Sequence, residues 1–126
     1  MSIVASAFIA LAALLHVYIF LMESVWWTRP ATWKRFGVPS QAAADTTRPM
    51  AYNQGFYNLF LAGGAVIGLL LFFGGQPAAG AALVLFSNGS MVLAATVLTT
   101  TGPGYLRAAL TQGALPLIGI ILFLLA

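Results

Sequence analysis

The chain has no cysteine, only two acids (Glu23 and Asp45), one histidine (His16) and five basic residues among 126, so 6% of it is charged. Without thiols there is no disulfide, no thiolate metal site, no thiol nucleophile and no point for S-acylation. Soluble domains carry roughly 25% charged residues, so this chain is not expected to be a soluble protein. With so few basic side chains, a nucleic-acid surface is excluded as well.

What fills the sequence instead is apolar: 61% of the residues are hydrophobic. A spanning helix needs about 20 mostly apolar residues, and four stretches reach that length, 3–27, 52–74, 79–100 and 105–126. A basic loop, 28–50, joins the first two, and GGQP (74–77) and TGPG (101–104) mark tight reversals. The expectation is an all-α integral membrane four-helix bundle, one domain over 1–126. Ala5-Ser6-Ala7 has the small residues of a signal-cleavage site. They precede the apolar run, however, no basic segment leads it, and it is longer than an h-region, so the first span is expected to be a membrane helix.

Charge placement suggests an orientation. Arg29, Lys34, Arg35 and Arg48 lie in the first loop and Arg107 begins the fourth span. With four spans, those two regions share a side, and the other side has no basic residue. The positive-inside bias then puts both loops in the cytoplasm and the N and C termini on the non-cytoplasmic side, with a bacterial inner membrane as the expected location. Trp26, Trp27 and Trp33 are expected as an aromatic belt at the inner boundary. Ala31 to Phe36, and Gln41 to Asp45 after Ser40, are expected as short helices on the membrane surface, drawn to anionic lipid.

The polar residues can be placed by depth, since a helix rises ~1.5 Å per residue. Counting from the inner ends, Glu23 lies roughly 6 Å in, His16 roughly 16 Å, and Asn58 and Gln112 each about 10 Å, with Asn53 and Gln54 at the edge. Seven residues turn through nearly two revolutions, so His16 and Glu23 share a face but stand roughly 10 Å apart in rise, too far to bond directly. Asn53 pairs with Tyr57, and Gln54 with Asn58, at i, i+4 spacing. Gly55 between them permits close approach by a neighbour. Gly64 and Gly68 have the GxxxG spacing of helix packing. Pro116 removes the helical partner of the Gln112 carbonyl. Asn53-Gln54-Gly55 and Thr111-Gln112-Gly113 correspond, which suggests that helices one and two repeat as three and four.

Other chemistries fit poorly. His16, Glu23 and the amides hold a metal only with a second subunit, and haem would have His16 alone, so no metal is expected. No cofactor is indicated. No lysine accompanies the glycines of TGPG, and no nucleophile elbow is present. Ser24, Ser87, Ser90 and the threonines at 99–101 are expected to bond back to helix carbonyls.

His16 with Glu23, Asn53-Gln54-Gly55-x-Tyr57-Asn58 followed by Leu61-Ala62, and Gln112 with Pro116 resemble a small four-span family known only as domain of unknown function thirteen-oh-four. The likeness covers nearly the whole chain. It implies a four-span fold and a recurring set of polar positions, and no reaction. One departure is that Ala94-Ala95-Thr96 stands in the third span where the family is expected to carry a tyrosine and glycine motif.

Three readings of function stay open. The first is a cytoplasm-facing pocket lined by His16, Glu23, Asn53, Gln54, Tyr57, Asn58 and Gln112, binding a small amphiphilic or lipid-soluble molecule. If it is an enzyme, Glu23 and His16 would exchange protons in an isomerisation or hydration while the amides orient the substrate. The second is a proton-coupled transporter built on a membrane carboxylate. In size the chain is similar to small multidrug exporters, four-span proteins with a first-helix glutamate. Those pair antiparallel, whereas the charge bias here fixes one orientation and would allow only a parallel homo-oligomer. The third is a structural or assembly partner whose polar cluster satisfies itself.

Overall fold

The protein is described over residues 1–126 by a computed structural model, in which every regular element is helical. Helix α1 runs Ile3–Phe20 and continues as a π-helical turn, Leu21–Val25. The short α2 (Pro30–Arg35) and the long α3 (Gln41–Phe73) follow, then α4 (Pro77–Thr99), a 3-10 turn (Pro103–Tyr105) and α5 (Leu106–Leu125). Four of these segments are long and apolar enough to cross a membrane: Ile3–Val25, Gln41–Phe73, Pro77–Thr99 and Pro103–Leu125. Large side chains such as Leu14, Leu70, Phe86 and Leu93 are exposed around them, as lipid rather than water requires.

The second span departs from expectation. Its helix begins at Gln41, so 41–45 is the first turn of α3 rather than a separate surface helix. Ser40 explains the start. Its Oγ accepts the Ala43 N–H at 3.1 Å, the bond of an N-cap, and three alanines follow. Pro49 lies inside the helix, where its missing N–H leaves the Asp45 carbonyl without a helical partner. Asp45 and Pro49 are both exposed, so solvent can satisfy that carbonyl.

The chain divides into two compact units. One contains Met1–Leu15 and Leu61–Ala126. Within it, helices meet through small residues. A Cβ on Gly64 would meet the Ser87 hydroxyl, and one on Gly68 would stand 2.8 Å from the Val84 backbone nitrogen. A Cβ on Gly80 would meet the Phe72 backbone, and one on Gly119 would stand 3.0 Å from Ile9 Cγ1. Without a hydrophobic force between helices in lipid, this closeness is what dispersion attraction needs. The reversal after α3 uses Gly75 at φ +96°, with the Gln76 N–H returning to the Leu71 carbonyl at 2.9 Å.

The other unit is His16–Phe60. Its loop is folded by its own side chains. Gly37 (φ +74°) closes α2, with Val38 N–H on the Trp33 carbonyl and Gly37 N–H on the Lys34 carbonyl, both at 3.0 Å. Trp27 donates its indole N–H to the Ala44 carbonyl at 3.1 Å, and Trp33 donates to Gln41 Oε1 at 3.1 Å. Gln41 in turn donates to the Thr28 carbonyl at 3.0 Å. Trp33 is buried, so it is a core residue of the loop and not a free interfacial anchor. Arg29 lies over the Trp26 ring at 5.4 Å.

Candidate functional site

The site starts from the π-helical turn. The Trp26 N–H bonds to the Leu21 carbonyl at 2.8 Å, five residues back, which inserts an extra residue into the last turn of the first span. Nothing in LMESV forces a π turn by propensity; its tertiary partners hold it. Ser24 donates its hydroxyl to the Tyr52 carbonyl on α3 at 2.8 Å. Gly55, one turn further along α3, lies so close that a Cβ there would meet Ser24 Oγ and stand 3.0 Å from the Ser24 nitrogen. Ser24 therefore corrects the expectation of a bond back to its own helix: the absent side chain of Gly55 brings a foreign carbonyl within reach.

Glu23 sits at the middle of this turn and is 8% exposed. Its Oε1 accepts a hydrogen bond from Asn58 Nδ2 at 2.9 Å. The second N–H of that amide is anchored to the Gln54 carbonyl at 3.1 Å. A carboxylate has two acceptor oxygens, so Asn58 leaves Oε2 available to a further donor. His16 is also buried, at 2% exposure, and is not without a partner.

The remaining predicted residues separate by face. Asn53 and Tyr57 are exposed and belong, with Tyr52, Phe56 and Phe60, to an open groove of about 350 Å³ along α3. Phe56 joins that groove to the first span through an edge contact with Phe20, centroids 5.1 Å apart. The side chain of Gln54 is exposed. Gln112 is half-buried on α5 in the other unit, one turn before the buried Pro116. Within His16–Phe60, then, the amide edge of α3 divides: Asn58 turns to Glu23, and Asn53 with Tyr57 turns to the aromatic groove.

Sequence reasoning missed Ser24 as a tie between helices and missed the aromatic residues at i, i+4 and i, i+8 from Tyr52. Both had a signal. Gly55 marks a close approach on α3, and Tyr52, Phe56 and Phe60 form a regular stripe, read beforehand only as apolar helix.

Four helices apolar and long enough to span a membrane, two of them joined by a buried carboxylate–amide hydrogen bond, define an all-α membrane protein. The family described as "Protein of unknown function (DUF1304)" matches residues 10–124, and the chain belongs to that family. No curated protein and no solved structure matches it.

Proposed function

We infer that the protein binds a small amphiphilic or lipid-soluble molecule at the inner ends of its first two spans, with its basic loops in the cytoplasm. The observation that carries this reading is the Glu23–Asn58 pair: a buried carboxylate fixed at one oxygen by an amide that is itself anchored, with acceptor capacity left at Oε2. Carrying a carboxylate within a span costs about 2.5 to 3.5 kcal/mol at the helix centre on insertion scales, falling towards the boundary. Such groups in membrane helices mark ligand or proton sites by default. The aromatic groove of Tyr52, Phe56 and Phe60 supplies an apolar bed on the same helix, and Asn53 and the Tyr57 hydroxyl supply polar contacts at its edge. His16, buried in the first span, is the second proton-exchanging group of any acid/base step.

Native mass spectrometry of the wild type and of Glu23→Gln tests it. A small molecule retained by the wild type and lost from the variant supports the reading; a clean apo mass for both overturns it.

A structural reading has its own support. Ser24 on the Tyr52 carbonyl and Gly55 against Ser24 form a tie beside the Glu23–Asn58 bond. On that reading the polar cluster fastens two helices and binds nothing. Apo masses for both proteins, together with a lower unfolding temperature for Asn58→Leu, would favour it.

A further inference from the structure

The unit that holds α4 and α5 has a second opening, which the Glu23 site does not use. It is an open cleft of about 310 Å³ between those two helices. Ala95 and Gly113 set its floor: a methyl group on Gly113 would stand 2.9 Å from Ala95 Cβ, so the helices nearly touch there. Thr96 and Thr99 on one side, and Leu110 and Leu117 on the other, form its walls. The two threonine hydroxyls donate to carbonyls of their own helix, Val92 at 2.8 Å and Thr96 at 2.6 Å. With those hydroxyls occupied, the threonine methyls are left to complete an apolar wall.

The cleft has the length of one leaflet. Its lining runs from Val92 to Thr99 on α4 and from Ala109 to Ile118 on α5. Those stretches correspond to ~10 Å and ~14 Å of helix, against about 15 Å for half of a ~30 Å hydrocarbon core. At its Ala109 end stands Arg107, the only charged side chain in Met1–Leu15 and Leu61–Ala126. Arg107 precedes Leu110 by three residues, Ala114 by seven and Leu117 by ten, so it lies on the cleft's face of α5, one turn beyond the apolar lining.

We propose that this cleft holds one acyl chain of an anionic phospholipid whose phosphate pairs with Arg107. Charge complementarity selects the occupant. A guanidinium matches a phosphate through paired N–H bonds, and a single apolar trough of leaflet length below it suits a lipid chain. This site is independent of Glu23, on the other unit, and stands whether or not that residue binds a ligand.

The test is native mass spectrometry of the full chain released from micelles loaded with phosphatidylglycerol or with phosphatidylcholine of the same acyl composition. The wild type is expected to retain phosphatidylglycerol about tenfold better, because both headgroups carry a phosphate but the quaternary ammonium of phosphatidylcholine cancels its net charge and repels the guanidinium. Arg107→Gln, at an exposed position, is expected to erase that preference while keeping some lipid of either kind. Thr96→Trp, from an exposed wall, is expected to displace both. Equal retention of the two lipids by the wild type would overturn the proposal. So would a preference that survives Arg107→Gln but fails in Arg48→Gln, which would move the headgroup to the basic loop. A lipid-free dimer that Thr96→Trp dissociates would give the cleft to a second copy of the chain and likewise overturn it.

Discussion

Asn58 holds Glu23 through one N–H of its side-chain amide and its own helix through the other, at 2.9 Å to Glu23 Oε1 and 3.1 Å to the Gln54 carbonyl. The amide is thereby oriented by α3 before it meets the carboxylate 35 residues earlier in the chain. Both of its donors are used, and neither is exchangeable for an apolar group without leaving an acceptor behind.

The two ends of that bond should therefore respond differently to substitution. Asn58→Leu strands a buried carboxylate, and a hydrogen bond to a charged group contributes about 1.5–3 kcal/mol. Glu23→Gln keeps an acceptor oxygen at the same place and is expected to cost less. Thermal unfolding in detergent should rank Asn58→Leu below Glu23→Gln; the reverse order would mean that Asn58 does not stabilise the carboxylate.

Gly55 makes a sharper structural prediction. Its missing Cβ is the space that Ser24 occupies, with backbone as well as side-chain atoms within reach. Gly55→Ala should destabilise by about 1–3 kcal/mol through overpacking, and Ser24→Ala should rescue only part of it, because the Ser24 nitrogen remains 3.0 Å away. Gly63 has nothing near it, so Gly63→Ala should be neutral or stabilise by up to ~1 kcal/mol through helix propensity. Equal effects at the two glycines would show that the close approach is not real.

The packing of α3 on α4 gives the same kind of contrast. A Cβ at Gly80 meets the Phe72 backbone, whereas one at Gly64 meets the Ser87 hydroxyl, which can rotate. Gly80→Ala should lower the unfolding temperature more than Gly64→Ala. The same comparison read out by Ser87→Ala should relieve Gly64→Ala and leave Gly80→Ala unchanged.

Much of this architecture was legible because lipid imposes a simple code. Length and apolar content found four spans, with the ends of the last two displaced by one or two residues. The start of α3 was missed because 41–50 is polar and contains Pro49, both of which argue against a membrane helix; the Ser40 cap and alanine run prevail since that segment packs on the loop tryptophans. The π turn was invisible, as one inserted residue leaves no mark on a helix that is apolar around most of its circumference. Asn58 was placed with Glu23 in the lining of one pocket, but the division of NQGFYN into two faces depends on where Gly55 docks, which periodicity cannot supply. Gly55 and Gly113, paired in the sequence by the residues around them, each stand where even a methyl group lacks room, against Ser24 and Ala95 respectively.

Asn88 on α4 is fully buried, and its Nδ2 donates to the Val84 carbonyl at 3.0 Å while its Oδ1 has no hydrogen-bond partner. A buried unsatisfied acceptor costs about 1–3 kcal/mol. Asn88→Leu, which keeps the number and branching of the side-chain heavy atoms and removes the polar ones, is accordingly expected to preserve or raise the unfolding temperature. A clear drop would mean that Oδ1 accepts from an internal water, which a bound water peak at that position in a crystal structure would identify.

Orientation can be tested against an empty background, because the chain has no cysteine of its own. Ser40 and Gln76 are both exposed and lie in connections on opposite sides of the second span. If the five basic residues hold their loops in the cytoplasm, an impermeant maleimide applied to intact cells should label Gln76→Cys and spare Ser40→Cys until the membrane is opened. Ser40 caps α3 through its hydroxyl, a bond worth about 1 kcal/mol, so Pro39→Cys, exposed and outside the helix, should repeat the result without that cost. Labelling of Ser40→Cys and Pro39→Cys from outside, with Gln76→Cys protected, would invert the topology and put the Glu23 end of the first span on the outer face. Labelling of all three from outside would imply mixed orientations, the arrangement that an antiparallel transporter pair needs and that a five-to-none charge bias argues against.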